Sequence, residues 1–189
     1  LDPAELPLDP AELPLEPAEL ISFNDSWRFR ESASGLPSDW AVTSHPVGLE
    51  LWQAGGAPIG FETDSLPIGL QTVLADPTSM NPAIITYYFE TDFTFAGDPL
   101  DPDLSLELKH LIDDGAVFYL NGVEVLRHNM PGGLIHAGIG AFPPVGNANL
   151  SESIILPKAA LVVGQNRFSV EVHQQTTTAS TSDDVVFGI

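Results

Sequence analysis

The sequence predicts an all-β fold, an antiparallel β-sandwich of jelly-roll type that carries an N-terminal Pro-rich acidic arm. Three observations predict it. Apolar and polar residues alternate with period two in several short runs. Helical periodicity is nearly absent after residue 20. Clusters of Gly, Pro, Asn and Asp separate the runs, as turns separate strands. At 189 residues and 43% hydrophobic, the chain has the length and the apolar content for one domain with a real core.

Residues 1–20 read LDPAELP-LDPAELP-LEPAEL, a heptad repeated nearly three times. Each unit holds a capping acid, a Pro suited to the first helical position and a following Glu, which is helix-start chemistry. The next Pro stops propagation within one or two turns. The expectation is a stiff acidic linker between modules, with a partner-binding arm as the alternative. Residues 21–189 form the sandwich module.

Within it, SWRFRE around Trp27 reads as the first strand. LELWQAGGAPIGF follows, with Trp52 near a loop. In ITYYFETDFTF (85–95), Ile85, Tyr87, Phe89, Phe93 and Phe95 point one way, and Tyr88, Glu90, Asp92 and Thr94 the other. LSLELKHL alternates Leu104, Leu106 and Leu108 with polar residues. NRFSVEVHQ alternates Phe168, Val170 and Val172 with Arg167, Ser169, Glu171 and His173. DVVFGI reads as the last strand. Alternation of this kind predicts one buried face per sheet. Two stretches, 62–83 and 129–149, are long and rich in Gly, Pro, Ser and Asn, and read as the loops where binding sits.

The segment IDDGAVFYLNGVEVLRHNMPGG (112–133) carries the clearest local signals. Asp113-Asp114-Gly115 reads as a turn, because Asp bonds nearby backbone N–H groups and Gly supplies positive φ. AVFYL-NG-VEVL reads as a hairpin, since Asn-Gly favours the two-residue type I′ turn. The same two aspartates are also candidate calcium ligands, with Asn121 or loop carbonyls completing an oxygen shell.

Charge narrows the partners. Six Lys plus Arg stand against 26 Asp plus Glu, a formal net charge of −20. A surface this negative repels phosphate backbones and anionic membranes, so nucleic acid is set aside. The chain has no Cys, which excludes disulfides, thiolate metal sites and a Cys nucleophile. No apolar run approaches the ~18 residues of a membrane span, and no signal peptide opens the chain. Its first residue is Leu, so it reads as a fragment or processed product whose targeting information lies elsewhere.

DDGAVFYLNGVEVLRHNMPGG, then LVVGQNRFSVEVHQ, then a short Ser/Thr-Asp segment and a last strand, resemble a module found repeatedly in large secreted bacterial proteins. There it stands beside hydrolases, metallophosphatase-like domains and surface-anchored proteins. More broadly the pattern is similar to the galactose-binding-domain-like jelly roll. The N-terminal sugar-binding domain of family 2 glycosidases shares the YLNG hairpin, a Gly-Gly downstream and a G-x-N-x-hydrophobic-x-V strand, here Gly164 to Val170. The resemblance covers about residues 22–189. It implies an extracellular or cell-surface location, a neighbouring catalytic domain in the same chain, and a non-catalytic role. A related sandwich, the PA14 type, places a similar Asp-Asp-Gly before its hairpin, and some members hold calcium and sugar there. This chain has Asn121 where that type has an aspartate.

Sugars stack their C–H faces on aromatic rings. Trp40 and Trp52 near loops, outward-facing Tyr88, and His136 in the 129–149 loop are the candidate glycan-binding residues. The tryptophans have a packing reading as well. The five histidines lack the H-x-x-x-H spacing of helical zinc sites, no G-x-S-x-G marks a Ser nucleophile, and no motif selects a glycosidase pair from the 26 acids. The expectation is a carbohydrate-binding, substrate-targeting module of a larger extracellular enzyme, with Asp113 and Asp114 holding a structural Ca2+. The alternative is a structural or adhesion module without glycan binding.

Overall fold

The computed structural model describes residues 17–31, 34–79, 82–176 and 182–189, and the expectation for most of the acidic arm lies outside the described residues. The described residues form an antiparallel β-sandwich. A six-stranded sheet contains β1 (Ser26–Glu31), β2 (Trp52–Gly56), β5 (Thr86–Phe95), β8 (Gly115–Leu120), β9 (Val123–His128) and β11 (Gly164–His173), in the order β2-β1-β5-β11-β8-β9. A four-stranded sheet contains β3 (Ile59–Phe61), β4 (Thr72–Val73), β7 (Leu111–Asp113) and β12 (Val185–Gly188), in the order β4-β3-β12-β7. A small ribbon pairs β6 (Leu106–Leu108) with β10 (Ile154–Leu156). All pairings are antiparallel except β3 with β4.

The period-two reading of the strands holds. Tyr87, Phe89, Phe93, Phe168, Val170, Val172, Phe118 and Leu120 point inward from the large sheet, and Ile59, Ile112, Val185 and Phe187 meet them from the small one. The two sheets lock where Phe187 stacks on Phe89 (ring centroids 3.9 Å, interplanar 13°) and meets Trp27 edge-on (4.8 Å, 79°). Each such fully buried aromatic contributes about 1.5–3 kcal/mol of transfer free energy.

The Asn-Gly hairpin also holds. Asn121 (φ 50°) and Gly122 (φ 80°) join β8 to β9 with the positive φ values of a type I′ turn. The Asn121 side chain does more than turn the chain. Its amide donates to the Ala160 carbonyl and to Asn166 Oδ1, both at 2.8 Å, and its oxygen accepts from Arg167 N–H.

Asp113-Asp114-Gly115 differs from the simple turn expected. β7 ends at Asp113 and β8 begins at Gly115, so Asp114 is the corner where the chain passes from the small sheet to the large one. Gly115 is needed for close approach and not for positive φ. A Cβ there would lie 2.8 Å from both Ala141 Cβ and the Asn129 carbonyl.

One buried histidine gives the fold a pH response. His110 is 3% exposed, neither ring nitrogen has a hydrogen-bond partner among the described residues, and it packs on Phe118 and His128. Burial, and secondarily His128, pushes its pKa down to about 4. The unfolded chain therefore takes up a proton near pH 6.5, while the folded chain stays neutral. Stability that is present above pH 6.5 is lost as pH falls toward 4. At pH 5 the expected loss is about 2 kcal/mol relative to pH 7. His110→Leu should flatten this slope in urea unfolding at the two pH values, and an unchanged slope would assign the acid response to other groups.

Candidate functional site

Outward-facing residues of the central strands are expected at a wet surface, but they are buried. Segment 36–51 folds over one end of the large sheet. Trp40 sits edge-on to Tyr88 (4.9 Å) and to Tyr119 (5.7 Å). Ser169 Oγ donates to the Ala41 carbonyl (3.1 Å), and the Arg167 guanidinium donates to the Thr43 carbonyl. The segment is itself tightly coiled, with Trp40 N–H bonded to Pro37, and Val42 and Thr43 N–H both bonded to Asp39.

A charged network fastens this segment. Glu90 on β5 is fully buried. Its carboxylate accepts from Arg28 Nε (2.7 Å), His45 Nδ1 (2.7 Å) and His45 N–H (3.2 Å). Arg28 also donates to Asp92 (2.7 Å), which accepts from Arg167 Nε (2.9 Å). Burial pushes the Asp92 carboxyl up, but the bonds from Arg167 and Arg28 outweigh it and hold the pKa below the usual value. The two guanidiniums and two carboxylates thus neutralise each other beneath the segment.

Between segment 36–51 and the sheet edge lies a cleft of about 350 Å³, lined by Leu36, Asp39, Trp40, His45, Glu50 and Trp52 among others. This is at the small end of ligand-site volumes. His45 stacks flat on Trp52 (4.3 Å, 9°). Its Nδ1 is engaged by Glu90, which orients the ring as a carboxylate orients a working histidine. At the rim, Glu50 (φ 49°) and Leu51 (φ 69°) are consecutive non-glycine residues in the left-handed region. Such backbone costs of order 1 kcal/mol or more per residue and concentrates at ligand clamps and other functional sites.

The structure gathers three of the four expected glycan-binding residues, but not in the expected way. Trp40, Trp52 and Tyr88 form one buried cluster, 6%, 2% and 2% exposed. The open stacking platforms expected of them are therefore corrected. His45 covers one face of Trp52, Trp40 packs on Tyr88, and both tryptophans line the cleft while almost fully buried. The Tyr88 phenol is pushed up to about 12 by burial and then by the Glu171 charge, so it stays protonated. His136 is exposed, its Nδ1 accepts from Gly138 N–H (3.2 Å), and it does not line the cleft.

The expected binding loop 129–149 instead packs down on the sheet. Thr86 Oγ1 donates to the Ala137 carbonyl, His173 Nδ1 lies 2.7 Å from the Ile139 carbonyl, and Ala141 N–H bonds to Gln174. Sequence reasoning missed Asp39, Glu50 and the Glu90–His45 pair. The one available signal was the density of Trp, Asp, His and Pro between residues 37 and 52.

Asp113 and Asp114 are adjacent but do different work. Both Asp114 oxygens are taken, by Val145 N–H (2.8 Å) and Gln175 N–H (2.6 Å), so Asp114 braces two loops at the sheet-crossing corner. Asp113 is fully buried, and among the described residues neither of its oxygens accepts a hydrogen bond from an N–H donor. Burial first, then the charges of Asp184, Asp114 and Glu62, push its pKa up to about 9. Among the described residues no group of three or more His, Cys, Asp or Glu side chains is arranged to hold a metal ion.

The fold and the cleft define an antiparallel β-sandwich whose polar outer face is roofed by an aromatic-bearing segment. No family model and no curated protein matches the sequence. Among solved structures the chain is similar to an uncultured Clostridium sp. β-glucuronidase (17% identity, 93% of this chain, 30% of that chain, TM-score 0.48). It is also similar to Bifidobacterium dentium β-glucuronidase (16%, 82%, 20%, TM-score 0.45) and to a β-D-mannosidase from Dictyoglomus thermophilum (15%, 82%, 16%, TM-score 0.39). The chain spans less than a third of the length of each. Among the described residues no helix is long and apolar enough to cross a membrane.

Proposed function

We propose that the chain is a non-catalytic carbohydrate-binding module of a larger extracellular protein, and that its ligand enters the cleft between segment 36–51 and the sheet edge. One observation carries this reading: the cleft combines Trp40 and Trp52 with Asp39, Ser44, His45 and Glu50. An apolar floor with a few fixed polar groups suits a sugar, which has apolar C–H faces and a rim of hydroxyls. Attached to a catalytic domain, such a module raises the effective concentration of enzyme at its polymer.

A second reading has its own support. Val42, Val47, Leu49 and Leu51, on the same segment, are each more than half exposed. A neighbouring domain that docked there would bury them, and the module would then serve as a packing partner.

Titration of the purified chain against a panel of soluble polysaccharides separates the two. The carbohydrate reading predicts saturable binding that His45→Gln weakens about tenfold, since a hydrogen bond involving an oriented polar group contributes about 1–1.5 kcal/mol. Binding to no member of the panel would eliminate it and leave the packing reading.

A further inference from the structure

The shape of the cleft bears on which part of a glycan it can hold, and this deepens the carbohydrate reading on which it rests. Every lining residue falls within one stretch of chain, Leu36 to Trp52. That stretch coils on itself: Trp40 N–H bonds to the Pro37 carbonyl, Gly48 N–H to Trp52 and Trp52 N–H to Leu49, as in compact surface loops. The cleft is therefore a cup built by a single loop. At about 350 Å³ it stands at the lower end of ligand-site volumes, with room for about one or two sugar rings.

A glycan that continued beyond the cup would need further rings beneath its sugars, because their C–H faces stack on open aromatic faces. The surface around the cup does not supply them. Val42, Val47, Leu49 and Leu51, the exposed apolar residues of the same segment, are aliphatic. Phe142 is the one exposed aromatic side chain among the described residues. It belongs to loop 129–149, which bonds to the large sheet at His173 and Gln174, whereas segment 36–51 bonds at Arg167 and Ser169. The six residues from Arg167 to His173 on β11 separate the two by about 20 Å.

We infer that the cup takes the terminal one or two units of a glycan, at a chain end or as a short oligosaccharide, and does not hold the interior of a long polymer. Such a module concentrates its neighbour at chain ends rather than along the chain.

The test takes the linear polysaccharide of the panel that binds best, hydrolyses it to oligomers of two, four and six units, and titrates each into the protein by calorimetry. The three oligomers should bind with affinities equal within about twofold, since units outside the cup add no contact. The intact polymer should take up one module per chain, whatever its length. An affinity that rises about tenfold from two units to six, or several modules along one polymer chain, would overturn the inference while the carbohydrate reading stands.

Two variants locate the contact. Ser44 lines the cup and is exposed, so Ser44→Phe fills the cup without entering the core. It should abolish binding of dimer and polymer alike, and Phe142→Ala should change neither. Polymer binding that survives Ser44→Phe, or that falls with Phe142→Ala, would place a chain-binding surface outside the cup and overturn the inference. Failure of every oligomer and every polysaccharide of the panel would remove both readings.

Discussion

Glu90→Ala should destabilise the protein by about 3–5 kcal/mol and release segment 36–51 from the sheet. A fully buried carboxylate is costly to place, and its removal is costlier, because its partners are left behind. Arg28 would keep only Asp92, and His45 would lose the acceptor for both its backbone N–H and its Nδ1. Arg167 would lose a second carboxylate at 4.0 Å. Two positive groups would then share one partly buried aspartate. Urea unfolding measures the loss. The near-ultraviolet circular dichroism of Trp40 and Trp52 reports the segment, since both rings take their asymmetry from contacts that the network maintains. A loss under about 1 kcal/mol with an unchanged aromatic spectrum would show that apolar packing alone holds the segment.

Phe187→Ala should cost about 3–5 kcal/mol, the range for truncating a buried aromatic. Phe187 is the ring through which β12 of the small sheet reaches Phe89 and Trp27 of the large one. No open side lets the site collapse, because β12 is buried along its whole length. A domain of this size has about 5–15 kcal/mol in total, so the variant should be marginal at physiological temperature. Leu100→Ala and Ile155→Ala are the matching controls. Both side chains are large and apolar but 87% and 74% exposed, and their loss should stay within about 0.5 kcal/mol. If all three variants unfolded at the same urea concentration, the Phe187 stack would not be the contact that holds the sheets together.

Much of the sandwich was legible in the chain. The sides of β5 and β11 follow from their alternation, and the Asn-Gly turn from the φ values it requires. The ribbon residues were less legible. Leu104 to Leu111 reads as one strand, but β6 ends at Leu108 and β7 begins at Leu111 in a different sheet. A break of two residues leaves almost no trace in a pattern of period two, and the register of β7 depends on β12, more than seventy residues later.

The candidate site was legible in part. Trp40, Trp52 and Tyr88 were singled out, and they do meet, but as buried packing of which the two tryptophans line a cleft. Period two tells which side of a strand a residue faces. It does not tell whether that side is covered, because the cover comes from elsewhere in the chain. Tyr88 and Glu90 face outward, and segment 36–51 buries them from about forty residues away.

What the sequence determined by itself is therefore local: the strands, their inward faces, the hairpin turn, and a surface charge that repels polyanions. The tertiary structure decided what each polar outward residue does. Glu90 orients His45, Asp114 braces two loops, and Asp113 is closed off from water. Neighbouring residues set the backbone preferences, while the role of a buried charge depends on partners that only the folded chain brings within hydrogen-bond distance.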